Sequence, residues 1–234
     1  MKVLYIFPHP DDECFGPAHA ISKQVREGHE VYLLTLTKGG ATRQRHKYDY
    51  TIEEMGEVRY KEMLEVAKIL KLKAMEVLDL PDGGLKEIDP HEIEIIIKNH
   101  IEKIKPDVIV TYAIHGVSGF HDHLVIHAVV KSVYCELRKT SDYLKRLALF
   151  TITEEKALLQ KHFHINGSKD EEIDCIETVD DEDFQNFIRA IDCYVTFKET
   201  IDATNVKTQM SNEVVFEIFQ EEHNPKLKSI FEKL

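Results

Sequence analysis

Two clusters of polar residues carry most of the chemistry this chain offers. The first is Pro8-His9-Pro10-Asp11-Asp12-Glu13, placed directly after the apolar run that ends at Phe7. The second runs from His115 to His123, where three histidines and Asp122 fall within nine residues. Histidine nitrogen and carboxylate oxygen are suitable zinc ligands, and a catalytic zinc needs three protein ligands with one position open to water. His9, Asp12 and one histidine of the second cluster make such a set and leave Asp11 free between them. Each cluster alone also fits a helix start with acidic caps. The pair, at the ends of two parallel strands, favours a metal.

The elements that must position these clusters follow from apolar periodicity. Strands are expected at Val3–Phe7, Val31–Leu36, Glu76–Leu80, Val108–Tyr112 and Arg146–Thr153. Helices are expected at Phe15–Glu27, closed by Gly28, at Glu57–Leu70, from Asp89-Pro90 to about Lys105, and at Asp122–Arg138. Strands alternating with helices imply right-handed βαβ units. The fold class expected is α/β, a Rossmann-like, mostly parallel sheet flanked by helices. Sites in such sheets lie beyond the carboxyl ends of strands, where both clusters fall. The acidic stretch from Lys169 to Asp183 reads as solvated, with a short edge strand, Ile173–Val179. Helices are expected near Asp183–Phe197 and Asn212–Glu222. Residues 151–234 thus form an α+β elaboration on a core of about residues 1–150, within one domain, 1–234.

Composition narrows the partners. With 30 Lys+Arg against 42 Asp+Glu the formal net charge is −12, which disfavours nucleic acid and anionic membranes. The apolar run before Pro8 is too short for a signal-peptide core or a span. Cys14, Cys135, Cys175 and Cys193 form no Cys-x-x-C pair, so neither a disulfide framework nor a cysteine zinc site is expected. Free thiols point to a reducing, cytoplasmic setting. Rival motifs fail on spacing. His123 and His127 stand at i, i+4 without the glutamate of the zincin helix. Gly116-Val117-Ser118-Gly119-Phe120 lacks the last glycine of a nucleophile elbow. His162 and His164 have no acidic partner nearby in sequence and read as structural.

Over about residues 1–150 the chain resembles the PIG-L / LmbE family of zinc-dependent de-N-acetylases. The resemblance rests on Pro8 to Glu13, Thr35-Leu36-Thr37-Lys38-Gly39-Gly40, Arg59-Tyr60-Lys61-Glu62, Leu80-Pro81-Asp82-Gly83-Gly84 and Gly119-Phe120-His121-Asp122-His123. It implies one zinc per chain held by His9, Asp12 and His123. It also implies Asp11 as general base, and Asp122 as a carboxylate orienting a catalytic histidine. Arg59 and Asp82 fall where related enzymes contact substrate. The implied reaction is hydrolysis of an N-acetyl or other acyl group from a small soluble N-acetylglucosamine-type sugar or amine, and a homo-oligomer is compatible with it.

Two positions depart from the family's pattern. The second metal motif is usually His-Pro-Asp-His, but Phe120 stands at its first histidine and His121 at its proline. Either His121 takes over the catalytic histidine's task from a shifted loop, or His115 does, or that step is weaker. Gly40 stands where a glutamate is common, and Arg43, Arg45 and His46 lie just beyond, suited to an anionic substrate group. Two other readings remain open: a metal-dependent phosphoesterase, and a zinc-binding module without catalysis.

Overall fold

A computed structural model of the protein describes residues 1–160 and 164–234. Among the described residues one sheet has seven strands: β1 (Lys2–Phe7), β2 (Glu30–Thr37), β3 (Ala74–Leu80), β4 (Val108–Tyr112), β5 (Arg146–Thr151), β6 (Cys175–Thr178) and β7 (Glu213–Ile218). Their spatial order is β3-β2-β1-β4-β5-β7-β6. The first five are parallel, and β7 runs antiparallel to both β5 and β6. The chain winds outward from β1 in both directions, so the crevice between the ends of β1 and β4 is the topological switch point. This is the α/β architecture expected.

β1 is an uninterrupted apolar run because both its faces are covered: Val3 through Phe7 are fully buried. The helices joining the parallel strands are α1 (Ala18–Arg26), α2 (Ile52–Ile69), α3 (Pro90–Ile104) and α4 (His121–Leu137). α2 starts five residues before the expected Glu57. A capping box fixes that start: Glu54 N donates to Thr51 Oγ1 at 3.1 Å, and Thr51 N donates to Glu54 Oε2 at 2.9 Å. The first turn is exposed, so apolar spacing does not reveal it.

The last third holds the short helices α5 (Glu154–Leu159), α7 (Lys198–Thr204) and α8 (Val206–Gln209), and a longer one, α6 (Asp181–Ile191). The helix expected over Asn212–Glu222 is instead strand β7. Val214, Val215, Phe216 and Ile218 are buried there between β5 and β6, a place that only an extended segment can fill. The helix expected to reach Phe197 stops at Ile191, and Val195–Phe197 forms a 3-10 turn. The acidic stretch is not uniformly solvated either. Glu177 is fully buried, accepting from Gln24 Nε2 and from Ile230 N. Asp183, also buried, accepts from the Ser22 hydroxyl at 2.9 Å and from Arg26 at 2.6 Å. These pairs dock the C-terminal region on α1. Buried Arg146 ties down the terminus through Glu221 and the carbonyls of Ile230 and Glu232. All four cysteines are free thiols. No helix among the described residues is long and apolar enough to cross a membrane.

His19 on α1 is buried against Phe184 and Phe187 of α6, and among the described residues neither ring nitrogen makes a well-formed hydrogen bond. Burial, with the Lys156 charge nearby, holds its pKa down to about 4. The folded protein therefore keeps His19 neutral where the unfolded chain, with a pKa of about 6.5, takes up a proton. Its contribution is fully present above pH ~6.5 and lost as pH falls towards ~4, by about 3 kcal/mol at most. His19→Leu should flatten the acid limb of stability by that amount between those limits. Urea unfolding across the pH range checks this, and parallel curves for the two proteins would refute it.

Candidate metal centre

The loop after β1 delivers His9, Asp11, Asp12 and Glu13 to the switch point. It turns sharply at Asp11, whose φ is +83°, and both Cys14 N and Phe15 N close back on the Asp11 carbonyl at 2.8 Å. The loop after β4 delivers Asp122 and His123 on the first turn of α4. Gly116 bends that loop at φ +61°, and a Cβ there would come within 2.7 Å of His123 Cβ.

Donor atoms of three residues converge, Asp12 facing one imidazole with each of its oxygens. His123 Nε2 lies 3.3 Å from His9 Nδ1 and 3.3 Å from Asp12 Oδ1, and His9 Nδ1 lies 3.5 Å from Asp12 Oδ2. Ligands placed tetrahedrally at about 2.05 Å from one ion stand about 3.3 Å apart. The other nitrogen of each ring is engaged, so that a metal displacing the remaining proton of His9 would meet a lone pair on each converging nitrogen. His123 Nδ1–H donates to the Gly116 carbonyl at 2.9 Å. His9 Nε2–H is held by Asp122 Oδ2 at 3.0 Å, with Asp82 Oδ1 at 3.3 Å. A carboxylate or carbonyl on the far nitrogen is the usual support of a metal-bound histidine. The Tyr112 hydroxyl, at the end of β4, donates to Asp12 Oδ1 at 2.8 Å.

The electrostatics agree with a cation site. Burial works against a charged His9, yet the hydrogen bonds to Asp12 and Asp122 outweigh it and hold the imidazole up to about 10. Burial likewise raises Asp12, but His123 and His9 outweigh that and bring it down to about 2. Burial keeps His123 below its ordinary value. Carboxylates thus outnumber the positive charges available to them, and the nitrogen–oxygen–nitrogen donor set suits zinc.

Asp11 stands apart from the converging atoms. Burial pushes it up to about 7 against the pull of Arg59, whose guanidinium grips its carboxylate directly. Arg59 is itself buried, donating to the carbonyls of Pro10 at 2.7 Å and Gly39 at 2.9 Å, with its other face on the Phe197 ring. Gly39, at φ +64°, leaves room for it, since any Cβ would overlap the guanidinium. Arg59 therefore lies beneath the site as a clamp on Asp11, not on an open substrate-facing wall. Asp82 is placed at the centre, its Oδ2 also accepting from Ala41 N at 2.7 Å. Arg43 is exposed at the start of a 3-10 turn, Arg43–Lys47.

The histidine that Asp122 orients is His9, not His121. His121 is exposed at the first residue of α4, beside the exposed Phe120. His115 faces away, 3.3 Å from both Ser168 Oγ and Thr151 Oγ1. His127 donates to the Tyr112 carbonyl at 2.9 Å as a core residue. His164 is exposed, and His162 lies outside the described residues. Sequence reasoning missed Tyr112 and the Gly116 carbonyl. Only Tyr112 carried a signal, as the last residue of a strand that opens onto the second cluster.

Residues 4–134 match the family model described as PIG-L, GlcNAc-PI de-N-acetylase. The chain belongs to the PIG-L family. It is 28% identical over 140 residues to an N-acetylglucosaminyl-phosphatidylinositol de-N-acetylase of Bos taurus, covering 58% of this chain and 51% of that protein. It is 30% identical over 156 residues to a probable N-acetyl-alpha-D-glucosaminyl L-malate deacetylase 2 of Bacillus subtilis, covering 66% and 69%. Its span is thus half to two-thirds of the length of these two relatives. The zinc-inhibited form of a teicoplanin deacetylase shares the fold, with a TM-score of 0.72 at 13% identity over 93% of this chain and 97% of that one. At that identity the likeness speaks to fold alone.

A ligand that binds only the folded state adds stability by mass action, about 4 kcal/mol at a thousand times its Kd. Zinc added to chelator-stripped protein should raise the unfolding free energy by about that much. His123→Ala should abolish both the gain and the stoichiometric metal seen by mass spectrometry; an undiminished gain would remove His123 from the ligand set.

Proposed function

We propose that the protein is a zinc-dependent de-N-acetylase that hydrolyses the N-acetyl group of an N-acetylglucosamine-type sugar derivative. One observation carries the reading: in a PIG-L chain, His9, Asp12 and His123 bring donor atoms within 3.3–3.5 Å of one another, and a second carboxylate, Asp11, is clamped separately by Arg59 between His9 and Asp12 in the loop after β1. His9, Asp12 and His123 would hold the ion. Zinc, when bound, supplies water of pKa near 7 and polarisation of the amide carbonyl.

The remaining steps belong to side chains. Asp11 takes the proton of the attacking water. Arg59 fixes the direction of its carboxylate, and burial keeps its pKa near neutrality, where a general base works best. Asp122 keeps His9 in the tautomer that leaves Nδ1 free. Tyr112 does the same service for the rotamer of Asp12. Of the two histidines that could give a proton to the leaving amine, His121 is the one assigned, since His115 is engaged with Thr151 and Ser168.

The test is acetate release from N-acetylglucosamine derivatives by the zinc-loaded enzyme. Asp11→Asn should keep the metal and slow turnover by about 10²–10⁴-fold, the size of a general-base contribution. His121→Ala should keep the metal with a smaller loss in kcat. Metal without hydrolysis of any N-acyl sugar or amine would instead favour a non-catalytic zinc module.

A further inference from the structure

A cleft of about 240 Å³ opens beside the centre, between the carboxyl ends of β2 and β3 and the first turns of α2. Asp82 joins the two, for it lines the cleft and also lies 3.3 Å from His9 Nε2. Whatever is attached to a sugar held at the centre has this cleft as an adjoining space. Its charged lining is Lys38, Glu53, Glu57, Asp79 and Asp82. Lys38 is already committed, 2.6 Å from Glu57 and 3.5 Å from Asp79. Four carboxylates thus face one paired ammonium.

The basic residues just downstream do not reverse this sign. Arg45 donates to the Tyr50 carbonyl, and Lys47 pairs with Glu199 of α7. Among the described residues none of Arg43, Arg45, His46 and Lys47 lines the cleft. The anionic substrate group expected from that basic run is therefore not what the cleft fits. An anion there would have to draw Lys38 away from two carboxylates and face the others.

We propose that this cleft receives the aglycone, and that it selects a cationic, amine-bearing aglycone and discriminates against phosphate or carboxylate. The proposal rests on the de-N-acetylase reading for what occupies the centre. It separates this chain from the relatives whose names specify phosphatidylinositol or malate, both anionic.

The probes are the 2-aminoethyl, 2-hydroxyethyl and carboxymethyl glycosides of N-acetylglucosamine, one cationic, one neutral and one anionic. Calorimetric binding to zinc-loaded Asp11→Asn protein reads the cleft without turnover, and acetate release by the wild type reads the reaction. At low ionic strength the aminoethyl glycoside should bind roughly fivefold tighter than the neutral one and the carboxymethyl glycoside roughly fivefold weaker, as several unit charges at contact range in high dielectric allow. The spread should collapse in 1 M salt. It should also collapse in Glu53→Gln/Asp79→Asn, but not in the control Glu155→Gln/Glu171→Gln, which removes as many negative charges at exposed sites elsewhere. Equal binding of the three probes, or a spread that the control removes as fully as the cleft variant, overturns the proposal. A preserved spread with no acetate release supports the cleft and overturns the de-N-acetylase reading, so the two fail separately.

Discussion

The constraint on which this molecule turns is the burial of negative charge at the end of its central strand. Asp11, Asp12, Glu13 and Asp122 are all less than a tenth exposed and lie within one crevice. A carboxylate taken out of water is tolerated only where hydrogen bonds and opposite charge replace its hydration. Each has its own solution. Asp12 accepts from Tyr112 and from the His9 amide at 2.8 Å, and faces both imidazoles. Asp122 accepts from Gly83 N at 2.8 Å and Leu85 N at 3.2 Å, so the loop after β3 is shaped around it. Asp11 has Arg59. Glu13 accepts from the Tyr194 hydroxyl at 2.6 Å, and burial still holds it above the usual range. The imidazole made most basic is that of His9, placed among Asp12, Asp82 and Asp122, which is where a cation relieves the remaining negative charge.

That constraint gives the C-terminal region a role which the family match, ending at residue 134, does not contain. Tyr194, Thr196 and Phe197 form a short ledge beneath the loop after β1. Tyr194 holds Glu13, Thr196 donates twice to Glu62 at 2.8 Å, and the Phe197 ring lies 4.1 Å from the Arg59 guanidinium. Arg59 and Glu62 are one turn apart on α2, so a single helical face meets the site above and the ledge below. The elaboration thus carries part of the load of positioning Asp11, through an arginine it touches on one side only.

Much of the fold was legible because β1 and β4 are largely apolar runs followed by polar clusters, and amphipathic helices separate the parallel strands. The βαβ order then decides the sheet. The candidate metal group was legible for the same reason: His9, Asp12 and the histidines of the second cluster are polar donors just beyond the ends of β1 and β4, and the resemblance singles out His123 among them. β7 was hidden because Glu213, Glu217 and Glu221 recur at helical spacing, while the alternation that matters is satisfied only by two neighbouring strands far apart in sequence. The surroundings of Arg59 were hidden for a related reason. The resemblance implies a substrate contact there, and nothing local announces that Asp11, Pro10 and Gly39 will surround it.

The departure at Gly40 shows how a sequence irregularity and a fold detail can be one feature. A Cβ at position 40 would overlap the Ile52 carbonyl oxygen, so the loop after β2 passes directly against the start of α2. No glutamate could stand there without moving that helix, whose first turn is fixed by the Thr51–Glu54 box. The early start of α2 and the missing side chain therefore imply each other. Together they form the cleft wall: the first turn brings Glu53 to its rim beside Glu57, and Gly40 lies in its lining without a side chain. The same turn sets Gly56 against Lys38 Cβ, where a methyl group would approach to 3.0 Å, which keeps the lysine lying along the helix towards Glu57. The acid-lined space beside the site is thus set by where this helix begins: shifting the Thr51 cap would move Glu53 and the contact with Gly40 together.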